Sequence, residues 1–115
     1  MSVVDTSTWI DVGPVSLLTP DRGVAALVDG RQVAVFLLGD GTLHAVDNRD
    51  PISGANVLSR GIVGDRGGEA VVASPVYKQC FALVSGHCLD DPTHTVAVHD
   101  VRAQGGRVHV RIADR

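Results

Sequence analysis

The sequence predicts an all-β domain, and three observations carry that prediction. Valine dominates the apolar residues while aromatics make up only 3% of the chain, and β-branched side chains favour strands. Short apolar runs are joined by glycine-containing turn signals at Asp29-Gly30, Gly39-Asp40-Gly41 and Gln104-Gly105-Gly106. The last run, Arg107-Val108-His109-Val110-Arg111-Ile112, alternates apolar and polar residues, the period of a half-buried strand.

Residues 1–7 are polar and expected to be loose. Trp9-Ile10-Asp11-Val12 reads as a first strand that Gly13-Pro14 ends, with the lone tryptophan in the core or at a seam. A short turn over 15–18 follows. Val24–Val28 and Arg31–Leu38 then form the clearest hairpin, because Asp-Gly suits the tight turn whose backbone twist matches two antiparallel strands. Thr42–Val46 is the next strand of a meander. A single helical turn is expected within 54–60, stopped by Gly61; a brief strand follows at 61–64, then a polar loop over 65–68. Glu69–Ala73 is a strand leading into Ser74-Pro75. Phe81–Val84 should pair with the chain after a two-residue Ser85-Gly86 turn, placing Leu83 opposite Cys88 and Cys80 opposite Asp91. Val96 and Val98 are out of phase with Val101 and Ala103, so either a bulge lies near 99–100 or a strand begins there.

At 115 residues the chain makes one domain. A formal net charge of -3 with scattered arginines argues against a nucleic-acid or anionic-membrane binder, since both require a concentrated positive field. No apolar run approaches the ~20 residues of a membrane helix. Met1–Thr6 lacks a basic start followed by an apolar stretch, so the expected compartment is cytoplasmic. Alternation sends Cys80 and Cys88 to opposite sides of their hairpin, which argues against a disulfide. The same geometry argues against zinc at Cys80, His87, Cys88 and His94, whose spacing also lacks paired cysteines. His44 and His109 read as solvent-face residues. Neither a phosphate loop nor a Gly-x-Ser-x-Gly motif occurs.

Two stretches stand apart: Asp47-Asn48-Arg49-Asp50-Pro51-Ile52-Ser53-Gly54-Ala55 and Ser74-Pro75-Val76-Tyr77-Lys78-Gln79-Cys80-Phe81-Ala82-Leu83-Val84-Ser85-Gly86. They resemble the two ligand loops of a Rieske iron–sulfur domain. Such a centre takes two thiolates on one iron and two imidazoles on the other, from Cys-x-His in one loop and Cys-x-x-His in the other. Laid on this chain without gaps, the first pair falls on Asp50 and Ile52 and the second on Ser74 and Tyr77. The frame of prolines and glycines remains, but hard oxygens and apolar or phenolic groups replace soft sulfur and imidazole.

From Trp9 to Ile112 the chain is similar to the small subunit of assimilatory NAD(P)H-dependent nitrite reductase. That resemblance implies an all-β, Rieske-like antiparallel β-sandwich with at most one short helix. Base strands would lie at 8–46 and 96–113, and a degenerate cluster-binding subdomain at 47–95. It implies a subunit with no catalytic, cofactor or metal residues of its own. Its partner would be a large subunit carrying siroheme, [4Fe-4S] and FAD, which reduces nitrite to ammonium with NADH or NADPH. The tip residues Tyr77, Lys78 and Gln79 are the docking candidates, because in cluster-bearing relatives this tip faces solvent and meets redox partners. The rival readings are a Rieske-type ferredoxin of an oxygenase and a stand-alone binding module.

Overall fold

The computed structural model describes residues 8–114; the looseness expected of 1–7 lies outside them. Among the described residues nine strands form: β1 (Ile10–Pro14), β2 (Arg22–Val28), β3 (Arg31–Leu37), β4 (Leu43–Asp47), β5 (Ile62–Arg66), β6 (Glu69–Ala73), β7 (Cys80–Ala82), β8 (Val98–Gln104) and β9 (Arg107–Arg111). Short 3-10 turns lie at Val15–Leu17 and Leu58–Arg60. One antiparallel sheet has the order β1-β9-β8-β4-β3-β2, and a smaller one has β5-β6-β7.

The apolar run on β3 explains how the two sheets join. Alternate residues point to opposite faces of a strand. Val33 and Val35 pack with Ala45, Val108, Val110 and Ile112 in a core inside the larger sheet. Ala34 and Phe36 turn the other way, into a second core with Leu58, Val72, Phe81, Leu83, Cys88 and Val96. A strand buried on both faces reads as a continuous hydrophobic run. Full burial of a residue such as Phe36 or Phe81 contributes about 1.5–3 kcal/mol relative to exposure, so the second core fixes the loops of the smaller sheet against the larger one.

The Asp29-Gly30 hairpin forms as its sequence predicts. Both residues take positive φ, 50° and 79°, the conformation of the tight turn that joins two twisted strands. Other expectations need correction. Gly13-Pro14 does not end β1: the strand bulges between Asp11 and Gly13 and then pairs Gly13 with Val108 and Pro14 with Arg107. An edge strand tolerates proline because its free N–H side has no partner to lose. Residues 65–66 are strand rather than loop, and Gly67-Gly68 alone turn the chain from β5 to β6.

The turn after β7 is longer than Ser85-Gly86. Ala82 N–H donates to His87 C=O, and Phe81 rather than Leu83 lies opposite Cys88. The two-residue shift preserves side-chain parity. Cys88 therefore shares the buried face of Phe81 while Cys80 points away, and both thiols are free. The phase change near His99 is not a bulge. β8 starts at Val98, pairs Val98 and His99 with β4, and then pairs Asp100–Gln104 with β9 in unbroken register. Val98 serves the second core and Val101 the first. Trp9 belongs to neither core. It lies half-buried, with the Arg102 and Arg111 guanidinium carbons 4.1 and 4.5 Å from its ring centre. His44 and His109 are half-buried, not fully solvent-facing.

Candidate functional site

The two singled-out loops meet at the outer end of the smaller sheet. The first leaves β4 and is held by Asn48, whose polar atoms are all used. Its Nδ2 donates to Gln32 Oε1 at 3.0 Å and to the Asn56 carbonyl at 3.3 Å, and its Oδ1 accepts from Ser59 N–H at 2.7 Å. Asn48 is buried, and a buried amide so satisfied fixes loop geometry. Asp50 N–H donates to Ala55 C=O, and Gly54 N–H donates back to Asp50 C=O at 2.7 Å, closing a compact turn. The second loop closes on itself as Ser74 N–H donates to Gln79 C=O and Lys78 N–H donates to Ser74 C=O, both at 2.9 Å.

A short hydrogen bond joins the loops. The Ser74 hydroxyl donates to Asp50 Oδ2 at 2.5 Å, and both residues are 0% exposed. The other carboxylate oxygen accepts from Ile52 N–H at 2.8 Å and from Ser53 N–H at 3.4 Å. Burial alone would raise the Asp50 pKa. The Ser74 hydroxyl, the Ile52 N–H and the Ser53 donors outweigh it and hold the carboxyl below its ordinary value. The two residues that the resemblance aligns with thiolate ligands thus form an anionic, hydrogen-bonded link between loops.

The two positions that the resemblance aligns with imidazole ligands diverge. Ile52 is half-buried and packs on the second core. Tyr77 is 57% exposed at the loop tip, beside exposed Val76 and Lys78. Lys78 takes φ of +68°, uncommon for a residue with a Cβ. Gln79 is half-buried, and its Oε1 has no partner among the described residues. Tyr77, Lys78 and Gln79 therefore share one loop, with Tyr77 and Lys78 outward and Gln79 turned partly in.

This donor set does not fit a [2Fe-2S] cluster. Such clusters take thiolate sulfur and, in Rieske centres, imidazole nitrogen, whereas the four positions offer a carboxylate, a hydroxyl, an alkyl group and a phenol. Cys88 lies in the core. The Cys80 backbone N–H donates to Asp90 Oδ2 at 2.8 Å, and Asp90 also pairs with Arg66 at 2.8 Å. Among the described residues, no three His, Cys, Asp or Glu side chains gather as a metal site would require.

A second polar cluster was not visible in the sequence. His99, with its side chain fully buried, bonds Asp47 Oδ1 through Nε2 at 2.7 Å. Its Nδ1 accepts from Ala113 N–H at 3.1 Å and from Asp114 N–H at 3.3 Å, which assigns the ring proton to Nε2. Arg31 bridges Asp47 at 2.9 Å and Asp114 at 2.6 Å. Burial would raise the Asp47 pKa, but His99 and Arg31 together hold it below the ordinary value. The cluster ties the end of the chain to β3, β4 and β8. Its partners are far apart in sequence, and no local spacing could have announced them.

Comparison with known proteins agrees with this geometry. The Rieske-like [2Fe-2S] domain family matches residues 8–111. The nitrite reductase (NADH) small subunit of Salmonella typhimurium is 39% identical over 106 residues, spanning 91% of this chain and 98% of that protein. A nitrite reductase [NAD(P)H] large subunit of Klebsiella oxytoca is 39% identical over 102 residues; the match covers 89% of this chain and only 11% of that protein. A crystal structure of a candidate NADH-dependent nitrite reductase small subunit from Mycobacterium tuberculosis superposes with a TM-score of 0.88 at 53% identity, covering 92% of this chain and 96% of that one. The ferredoxin of carbazole 1,9a-dioxygenase from Nocardioides aromaticivorans superposes at 0.80 with 23% identity, covering 92% and 99%, and shares the fold alone.

Proposed function

Because the chain belongs to the nitrite reductase small subunits, within the Rieske-like domain family, we propose that it is the small subunit of an assimilatory nitrite reductase and acts there by contact. The observation that carries this reading is the match to a small subunit across nearly the whole of both chains. In the family, the reaction takes nitrite to ammonium with electrons from NADH or NADPH. The resemblance assigns siroheme, iron–sulfur cluster and flavin to the large subunit; in this reading the chain works in the cytoplasm. No helix of the described chain is long and apolar enough to cross a membrane.

The residues of this chain bind and orient; they do not carry electrons. Asp50 and Ser74 hold the two loops together where ligated iron would otherwise cross-link them. That link presents the tip formed by Tyr77, Lys78 and Gln79 as a preformed surface, and preformed surfaces lose less entropy on docking. An exposed tyrosine is a common interface anchor. The oxygenase-ferredoxin reading is disfavoured because it needs the sulfur and imidazole donors that these positions lack.

The test has two parts. Deleting the gene should abolish growth on nitrite as sole nitrogen source, and the wild-type gene should restore it. Tyr77→Ala combined with Lys78→Glu should weaken copurification with the large subunit by about tenfold or more. Growth unaffected by deletion would overturn the assignment; undiminished copurification of the double variant would remove the tip from the interface.

A further inference from the structure

We propose that the open edge of β2 is a second docking site, which takes an extended apolar strand of the large subunit. The inference rests on the subunit reading above but concerns a different face of the molecule.

β1 and β2 are the two ends of the six-stranded sheet, and each is paired on one side only. Pairing of β2 with β3 runs in unbroken register from Val28 opposite Arg31 to Arg22 opposite Leu37. In a hairpin with a two-residue turn, the residues flanking the turn exchange hydrogen bonds, and the pattern then alternates. The N–H and C=O groups of Gly23, Ala25 and Leu27 therefore point away from β3. Gly23 is covered, since a Cβ there would strike the Ser59 backbone and the Phe36 ring. Ala25 and Leu27 are exposed, and their outward backbone groups have no partner among the described residues.

Apart from Asp11 on β1, the side chains around this edge are apolar. A groove of about 350 Å³ runs between β2 and β1, with Leu17 and Leu18 at its side and Val35 and Val108 among its walls. Leu17, Val24 and Leu27 are three of the large hydrophobic residues left exposed, and all three line this groove. Leu27 is 70% exposed. Folded proteins protect open edges with charge, proline or a bulge. β1 has Asp11, Pro14 and a bulge, and β5 has Asp65 and Arg66. From Gly23 to Val28, β2 has none of these devices. An unguarded edge beside an apolar groove is the chemistry of strand addition. Backbone hydrogen bonds hold the incoming strand, and alternate side chains enter the groove.

The large subunit is the source that the relatives favour, because in Klebsiella oxytoca a segment similar to this chain forms 11% of the large subunit itself. The edge carries no charge from Gly23 to Val28, which calls for a neutral, apolar segment, not an acidic or basic one.

The test coexpresses the full chain with the large subunit and measures copurification and affinity. Ala25→Pro removes one outward N–H without disturbing the bonds to β3, and Leu27→Lys places a charge on the edge. Each should weaken association by about tenfold, while the melting temperature of the isolated chain moves little. Wild-type affinity for both folded variants overturns strand addition. If the wild type does not associate at all, the subunit reading falls and this proposal falls with it. If the wild type is a dimer by light scattering, and Leu27→Lys makes it monomeric without loss of large-subunit binding, the occupant is a second copy and the proposal is overturned.

Discussion

Ser74→Ala should loosen the two loops at a cost set chiefly by one hydrogen bond. The change leaves the bonds of the Ser74 backbone intact and removes the hydroxyl, which donates to Asp50 Oδ2 at 2.5 Å inside a fully buried site and accepts a longer bond from Val76 N–H at 3.3 Å. A hydrogen bond to a charged group is worth about 1.5–3 kcal/mol, and the carboxylate oxygen it leaves lies in a site closed to solvent. The expected loss is about 2 kcal/mol, or roughly 8 °C in melting temperature for a domain of this size. Asp50→Asn supplies the pH control. The folded pKa of Asp50 lies below the ordinary 3.8. Its stabilisation is therefore complete above the unfolded value and is lost as pH falls through the lower folded value. The stability gap between wild type and Asp50→Asn should be open at pH 7 and close in acid below about pH 4. Urea denaturation across that range measures both effects, and amide exchange at Lys78, whose N–H donates to Ser74 C=O, reports on the loop itself. Ser74→Ala within about 0.5 kcal/mol of the parent, with unaltered exchange at Lys78, would refute the link.

Other consequences can be measured on the isolated chain. Gly86 is buried at φ +78°, and a Cβ there would collide with the Val96 carbonyl oxygen; Gly86→Ala should cost about 3 kcal/mol or more, read by thermal denaturation. His99→Leu strips Asp47 of one partner and frees the Ala113 and Asp114 amides. A loss of about 2 kcal/mol is expected, with accelerated hydrogen exchange confined first to those two amides. The Asp47 carboxyl is held below its ordinary value, so its contribution is present at neutral pH and disappears as pH falls through the folded value. A wild type as stable at pH 3 as at pH 7 would contradict both carboxylate assignments, buried Asp50 and half-buried Asp47.

Much of the fold was legible because its cues are local. Asp29-Gly30 specified its own turn, and the alternation of Val108, Val110 and Ile112 identified the buried face of β9. Errors came where an edge or a long-range contact decides. Pro14 looks like a strand breaker until β1 is known to be an edge. The Ser85-Gly86 turn lengthens because the buried Gly86 lies against Val96, on a segment ten residues away that no local rule anticipates. The apparent phase error at Val98 and Val101 arises because one strand feeds two cores. At the candidate site, the resemblance singled out the loops that contain Asp50 and Ser74. Their joining by hydrogen bond, the support from Asn48 and the His99–Asp47–Arg31 cluster all needed the tertiary fold.

Reconstitution tests most directly whether this chain serves by contact instead of electron transfer. Large subunit prepared without it would be titrated with the chain after exhaustive chelation, and again after incubation with iron and sulfide, while NADH-dependent nitrite reduction is followed. The two preparations should restore the same activity at the same stoichiometry. Activity that rises with the iron content of this chain would contradict the account.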